Sequence, residues 1–319
     1  MALKYPNKIK KKGYWKAYEK SRINDYWVLW NEICNIIPKV KHKLERRGRK
    51  PKIELFHLYR LNVFCSCTNL TLREIEGLMP WLVKKRLDHC NLSRWFSKLD
   101  EKIIDDSIAK LNEIMTSKDK VEYIADSSPF TLSFYRRIIS GGKALFELVT
   151  WKLHAILAYL PALSLLSVVC VCATHGDCHD SPPFREVLLP KAILRKGERL
   201  HADKAYWARD NINLLRMKGI KPNIVPRKGR CSGLVLYKAI KEYDDKARKR
   251  NRGLIEGFFG GITTRQNMKC RYKNHQSKVI FVHSISLAQQ IKTYLRYKII
   301  KIISLISHQP RDAVSPIRN

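Results

Sequence analysis

Several large protein classes are excluded by what the chain lacks. It has nine cysteines, Cys34, Cys65, Cys67, Cys90, Cys170, Cys172, Cys178, Cys231 and Cys270, and none falls in a C-x-x-C pair. An odd number with no paired spacing reads as reduced thiols in a cytoplasmic protein rather than a disulfide framework. His57, Cys65, Cys67, His89 and Cys90 have the right elements for zinc, but C-x-C and H-C spacings match no common structural site. Internal repeats and low-complexity blocks are absent, so a solenoid is not expected. The N-terminal M-A-L-K-Y-P-N-K-I-K-K-K has no apolar core behind it and does not read as a secretory signal. One apolar run, Ala155–Ala173, has about the length of a spanning helix. Pro161 interrupts it, and Trp151, Leu153 and Ala155 alternate with Lys152 and His154. Two buried strands joined at Leu160–Pro161 fit that pattern, and no membrane span is expected.

Acidic residues are scarce as well, with 28 Asp and Glu against 62 Lys and Arg and a net charge of +34 over 319 residues. The basic residues run the whole length, which favours a polyanion bound across several elements, and nucleic acid over a membrane patch. The length suits a full core with a second, smaller domain. Against this cationic background the few acids at element ends become informative.

Val121–Pro129, V-E-Y-I-A-D-S-S-P, is an apolar run ending on Asp126, and a Ser-Ser-Pro turn is expected directly after it. Arg199–Trp207, R-L-H-A-D-K-A-Y-W, repeats the grammar with Asp203 at the end of a second strand. Glu256 lies in K-R-N-R-G-L-I-E-G-F-F-G-G-I-T-T-R, a helix-like stretch with Arg252 one turn before it. Taken singly, Asp126 could start a turn, Asp203 could cap the next helix, and Glu256 could be an i,i+4 partner of Arg252. Together, carboxylates from separate elements have a use: hard divalent cations select them, and a pair of Mg²⁺ ions about 4 Å apart can activate an attacking oxygen and stabilise a leaving one in phosphodiester cleavage.

The order of elements is read as a basic arm over residues 1–20, a helical domain over 21–115, an α/β domain over 116–304 and a tail over 305–319. The arm, with Tyr5, Tyr14 and Trp15 among lysines, suits a segment lying along phosphates or a solubilising tail. Glu45–Lys52, E-R-R-G-R-K-P-K, places Arg46, Arg47, Arg49 and Lys50 on an extended backbone, as a minor-groove segment or a plain basic loop. Thr71–Met79, which opens with a capping box, and Leu92–Leu99 could form a helix-turn-helix around Pro80, although any helical bundle gives similar spacing. Beyond Lys118 we expect strands 121–126, 151–159, 163–173, 199–203 and 222–226. Helices are expected over 182–189, 206–218, 248–265 and 279–304, with a basic loop over 227–247. That succession predicts an α/β fold, an RNase H-like mixed sheet flanked by helices and preceded by a small all-α DNA-binding domain. Gly257, Gly260 and Gly261 predict close backbone approach to the sheet or to DNA, because each costs about 1 kcal/mol inside a helix.

Other words sharpen this reading: T-H-G-D-C-H-D-S-P-P-F-R-E-V-L at 174–188, W-K-L-H at 151–154, L-R-E-I-E at 72–76 and G-R-K-P at 48–51. With the three acids in order, they resemble the insertion-sequence DDE transposases over roughly residues 45 to 300. The resemblance matches Asp126 to the first acid, Asp203 with Tyr206 to the D-x-x-Y context of the second, and Arg252 with Glu256 to R-x-x-x-E. It implies metal-dependent DNA cleavage and strand transfer. Asp126, Asp203 and Glu256 would hold Mg²⁺ or Mn²⁺, two ions in number, and Arg252 would orient Glu256. It also implies double-stranded DNA as partner, as terminal inverted repeats and as target, a homodimer on that DNA and a nucleoid location in a prokaryotic cytoplasm. Lys249 and Thr263 stand where the family has Tyr and Lys, so Arg265 and Lys269 would meet the DNA end instead, with Arg227 and Lys228 nearby. His179 and Asp180 match a recurrent family position and are expected to brace the turn before helix 182–189. A structure-selective nuclease and a non-catalytic DNA-binding relic are the rival readings.

Overall fold

The computed structural model describes residues 14–39, 52–117, 119–140, 143–227, 229, 233–262 and 274–307. Arg46, Arg47, Arg49, Lys50, Lys228, Thr263, Arg265 and Lys269, and most of the expected basic arm and tail, lie outside those residues.

Five helices come first: α1 Tyr14–Ile36, α2 Leu55–Thr68, α3 Leu72–Val83, α4 His89–Phe96 and α5 Lys102–Thr116. The capping box opens α3, with Glu74 N donating to Thr71 Oγ1 at 3.3 Å and Thr71 N to Glu74 Oε2 at 2.7 Å. The expected break at Pro80 does not occur. Pro80 lies exposed near the end of the helix, which runs on to Val83. Arg60 of α2 is buried and donates to Ile37 O and Cys34 O, satisfying carbonyls at the end of α1 that have no helical partner.

The sheet consists of β1 Glu122–Ser140, β2 Lys143–Leu160, β3 Leu165–His175, β4 Arg199–Ala202 and β5 Lys221–Ile224, in the order β3-β2-β1-β4-β5. β1, β2 and β3 form an antiparallel meander, and β4 and β5 add in parallel on the other side of β1. The apolar run that might have crossed a membrane is β2, a turn and β3, and no described helix is long and apolar enough to span. At the register shift between Ile156 and Leu157, the backbone N–H of Val168 donates to Gln290 Oε1 at 2.6 Å. Gln290 belongs to α11, His275–Ser307, which packs on β3, α2 and α5. One continuous apolar core therefore joins the N-terminal helices to the sheet.

The Ser-Ser-Pro turn is corrected. β1 continues through Ser127, Ser128 and Pro129 to Ser140, and β2 returns from Lys143. Pairing with β4 stops at Ala125, so from Asp126 onward β1 is an edge strand, where proline's missing N–H is tolerated. Between β3 and β4 lie α6 Ser181–Pro183, a π turn Phe184–Leu188 and α7 Leu189–Lys191. After β4 come a 3₁₀ turn Lys204–Tyr206 and α8 Arg209–Met217. The expected basic loop contains α9 Leu234–Lys241, and α10 spans Asp245–Gly260. Of the two alternatives for the glycines, approach to the sheet is not seen: a Cβ on Gly257, Gly260 or Gly261 would meet no described atom within 4 Å outside the helix's own backbone.

Candidate active site

The sheet register places the first two acids. Ala125 and Ala202 pair across parallel strands, so Asp126 and Asp203 are the next residues on neighbouring strands. Both are half-buried, and both line a cleft of about 50 Å³ with Ile124, His201, Arg248, Arg252 and Ile255. That is room for one or two water-sized groups. Asp203 is the residue before the 3₁₀ turn, yet its side chain makes no capping bond. Its carboxylate is thus not spent on the helix it could have capped.

Alternation along β1 gives each face its own neighbours. Glu122 bonds to Arg250 and Asn251 of α10, whereas the Tyr123 hydroxyl accepts from Arg195 N at 3.0 Å on the other side. Asp126 shares the parity of Glu122, and Ser127 that of Tyr123. Ser127 Oγ donates to Asp180 Oδ1 at 2.7 Å, and Lys152 Nζ donates to the same oxygen at 3.2 Å and to Cys178 O at 2.9 Å. Asp180 therefore ties the loop before α6 to β1 and β2, while Ser127 N donates to Asp126 Oδ1 at 2.8 Å.

Burial pushes the Asp126 carboxyl up to about 6, with the charges of Asp203 and Asp180 adding to the shift and the Ser127 N–H and Arg252 opposing it. Such a carboxylate is costly to ionise and gains from a cation beside it. His154, buried on β2 with Nε2 2.7 Å from Thr174 Oγ1, is lowered to about 4 chiefly by burial and is neutral near pH 7. Tyr206 packs edge-on against Phe184 at 5.1 Å, its hydroxyl buried and raised well above its ordinary value by burial, then by Asp180 and Asp126.

The third acid is placed differently. Arg252 Nε donates to Glu256 Oε1 at 2.8 Å, one helical turn along α10, and both side chains are exposed. Arg252 faces the cleft, and its bond to Glu256, then the charges of Glu256, Asp203 and Asp126, hold it protonated. Asp126, Asp203 and Glu256 do not gather as a set within 4.8 Å of one another. The described residues that do are Asp88, His89 and Cys90, consecutive on the surface, with His89 Nδ1 3.0 Å from Glu76 Oε2. Arg227 Nε donates to Lys204 O at 3.1 Å, directly after Asp203.

Ser127, Lys152, Asn251 and Arg248 escaped sequence reasoning. W-K-L-H contained Lys152, but only pairing across β1 and β2 reveals its partner.

The donor set suits a hard divalent cation: oxygen ligands side by side where the parallel β1–β4 pairing stops, one desolvated and electrostatically strained. A five-stranded mixed sheet flanked by helices, in the order β3-β2-β1-β4-β5, is the α/β architecture of RNase H-like proteins. A family model described as the transposase DDE domain matches residues 117–290, more than half the chain, and the protein belongs to that family of transposases. No curated protein matches the chain.

Proposed function

We propose that the protein binds the terminal inverted repeats of an insertion sequence, cuts at its ends by metal-dependent hydrolysis, and joins the freed 3′-hydroxyls to target DNA. The observation that carries this reading is the convergence of Asp126 and Asp203 on one cleft beside Arg248 and Arg252, in a chain of net charge +34.

Asp126, Asp203 and Glu256 would hold two Mg²⁺ or Mn²⁺ ions. Bound there, such ions supply activation of the attacking oxygen and charge neutralisation on the leaving one. Arg252 holds the Glu256 carboxylate turned toward its own guanidinium, beside the cleft. Arg248 and Arg252 offer cationic groups where a phosphate enters. Asp180, Lys152 and Ser127 hold β1 beside Asp126 so that the Asp126 carboxylate keeps its direction. Arg46, Arg47, Arg49, Lys50, Arg227, Lys228, Arg265 and Lys269 would meet the DNA backbone. The active form would be a homodimer on DNA in the nucleoid.

A strand-transfer assay with pre-cut ends tests this directly. Joining supports a transposase in full; nicking alone supports a nuclease; binding with neither supports a relic. Loss of DNA binding in parallel with cleavage in Asp126→Asn would overturn the metal-site assignment.

A further inference from the structure

The helix that carries Arg252 and Glu256 is poorly able to hold its own place. Gly253 and Gly257 lie within α10 and Gly260 ends it, each lowering helix stability by about 1 kcal/mol relative to alanine. Arg252 and Glu256 themselves are exposed and bond to each other. The polar ties between α10 and the sheet gather instead at its first half. Asp244 caps the helix, donating its N–H to Asn223 Oδ1 at 2.8 Å and receiving Arg199 Nη1 at 2.9 Å. Nearly two turns further on, Glu122 at the start of β1 receives Arg250 Nη2 at 2.9 Å and Asn251 Nδ2 at 2.5 Å, with His201 Nε2 3.3 Å away.

Asn251 is fully buried, and Ile255, four residues on, is buried with it. A helix turns about 100° per residue, so fixing 251 and 255 toward the sheet fixes 252 and 256 on the adjoining face. That face includes Arg248 and Arg252, which line the cleft of Asp126 and Asp203.

We propose that the Glu122–Asn251 clamp is a positioning device that sets the rotation of α10, and through it the presentation of Glu256 to the metal site. This rests on the assignment of Glu256 proposed above. Glu122 serves because a carboxylate accepts on both oxygens. Glutamine at this position has the same shape but must turn an NH₂ group against one of the donors.

The test is a double-mutant cycle on Mn²⁺ affinity, read by titration calorimetry on the full chain, with plasmid nicking and gel-shift affinity alongside. Glu122→Gln and Asn251→Ala should each weaken Mn²⁺ binding and slow nicking by about tenfold, the scale expected when a residue supporting a metal ligand is removed. DNA affinity should stay within twofold. In a Glu256→Gln background, neither change should weaken Mn²⁺ further. Asn251→Ala empties a buried position, so the isosteric Glu122→Gln, checked by its melting temperature, carries the decision. Equal weakening in both backgrounds, or none in Glu122→Gln, overturns the clamp while leaving Glu256 as a ligand. If Glu256→Gln alone leaves Mn²⁺ affinity and nicking unchanged, the assignment of Glu256 fails and the clamp fails with it.

Discussion

The two halves of the candidate site are built by different means. Asp126 and Asp203 stand directly after the last paired residues of the parallel β1–β4 ladder, half-buried, in a position set by that ladder. Glu256 stands on a glycine-bearing helix, exposed and paired with Arg252 of the same helix. The strand-end half is rigid and strained: ionising Asp126 works against burial and two like charges. The helix half is relaxed, and its side chains can turn without breaking a core. Two acids are placed by the sheet ladder and the third sits on a helix face tied to the sheet through Glu122 and Asn251, so each half should fail differently when altered.

The largest contrast is expected in chemistry. Asp126→Asn or Asp203→Asn should reduce cleavage and joining by at least about a thousandfold, because a negative ligand is lost with no room for a substitute. Gel-shift affinity should be kept or slightly raised, since each change removes a negative charge facing phosphate. Arg252→Ala should cost about tenfold in cleavage, the expected loss for a residue supporting a ligand. If the arginine variant proved as inactive as the aspartate variants, the division between the two halves would be wrong.

A second contrast concerns stability without metal. The folded-state pKa of Asp126 is raised, so its ionisation penalty is complete above about pH 6 and shrinks as pH falls through 6 toward the ordinary carboxylate range. In EDTA at pH 8, Asp126→Asn should therefore stabilise the fold, by on the order of 1–2 kcal/mol after allowance for solvent screening. The gain should fade toward pH 4 in thermal melts. Glu256→Gln should show no such gain, because Glu256 is exposed and already paired with Arg252.

The smallest effect tests the glycines. Gly253→Ala and Gly257→Ala add a methyl group where no described atom lies within 4 Å, so each should raise stability by about 1 kcal/mol and the melting temperature by a few degrees. A fall in DNA affinity with that gain would mean that DNA approaches this face of α10. Unchanged affinity would leave the glycines as a source of looseness in the helix half alone.

Much of the strand-end half was legible in the chain. Apolar runs ending at Asp126 and at Asp203 mark buried strands by composition, and the T-L-R-E capping box marks the start of α3, because both signals depend only on neighbours in sequence. The extent of β1 was not legible. Ser-Ser-Pro is turn chemistry wherever a strand is flanked on both sides, and only the loss of β4 as a neighbour after Ala125 makes Pro129 acceptable within β1. The glycines of α10 could not be assigned to the sheet for a related reason: their cost is local, but whether the protein's own atoms approach them depends on the surrounding fold.

The sequence by itself determined the cationic character of the protein, the order of its strands and helices, and the acids at element ends, since charge, periodicity and turn chemistry are written residue by residue. The tertiary structure alone decided which acids share a cleft, that Asp180 and Lys152 brace β1 beside Asp126, and that α10 is anchored at Glu122. Those contacts join residues far apart in the chain. They arise from strand register and helix rotation, which neither partner's local sequence specifies.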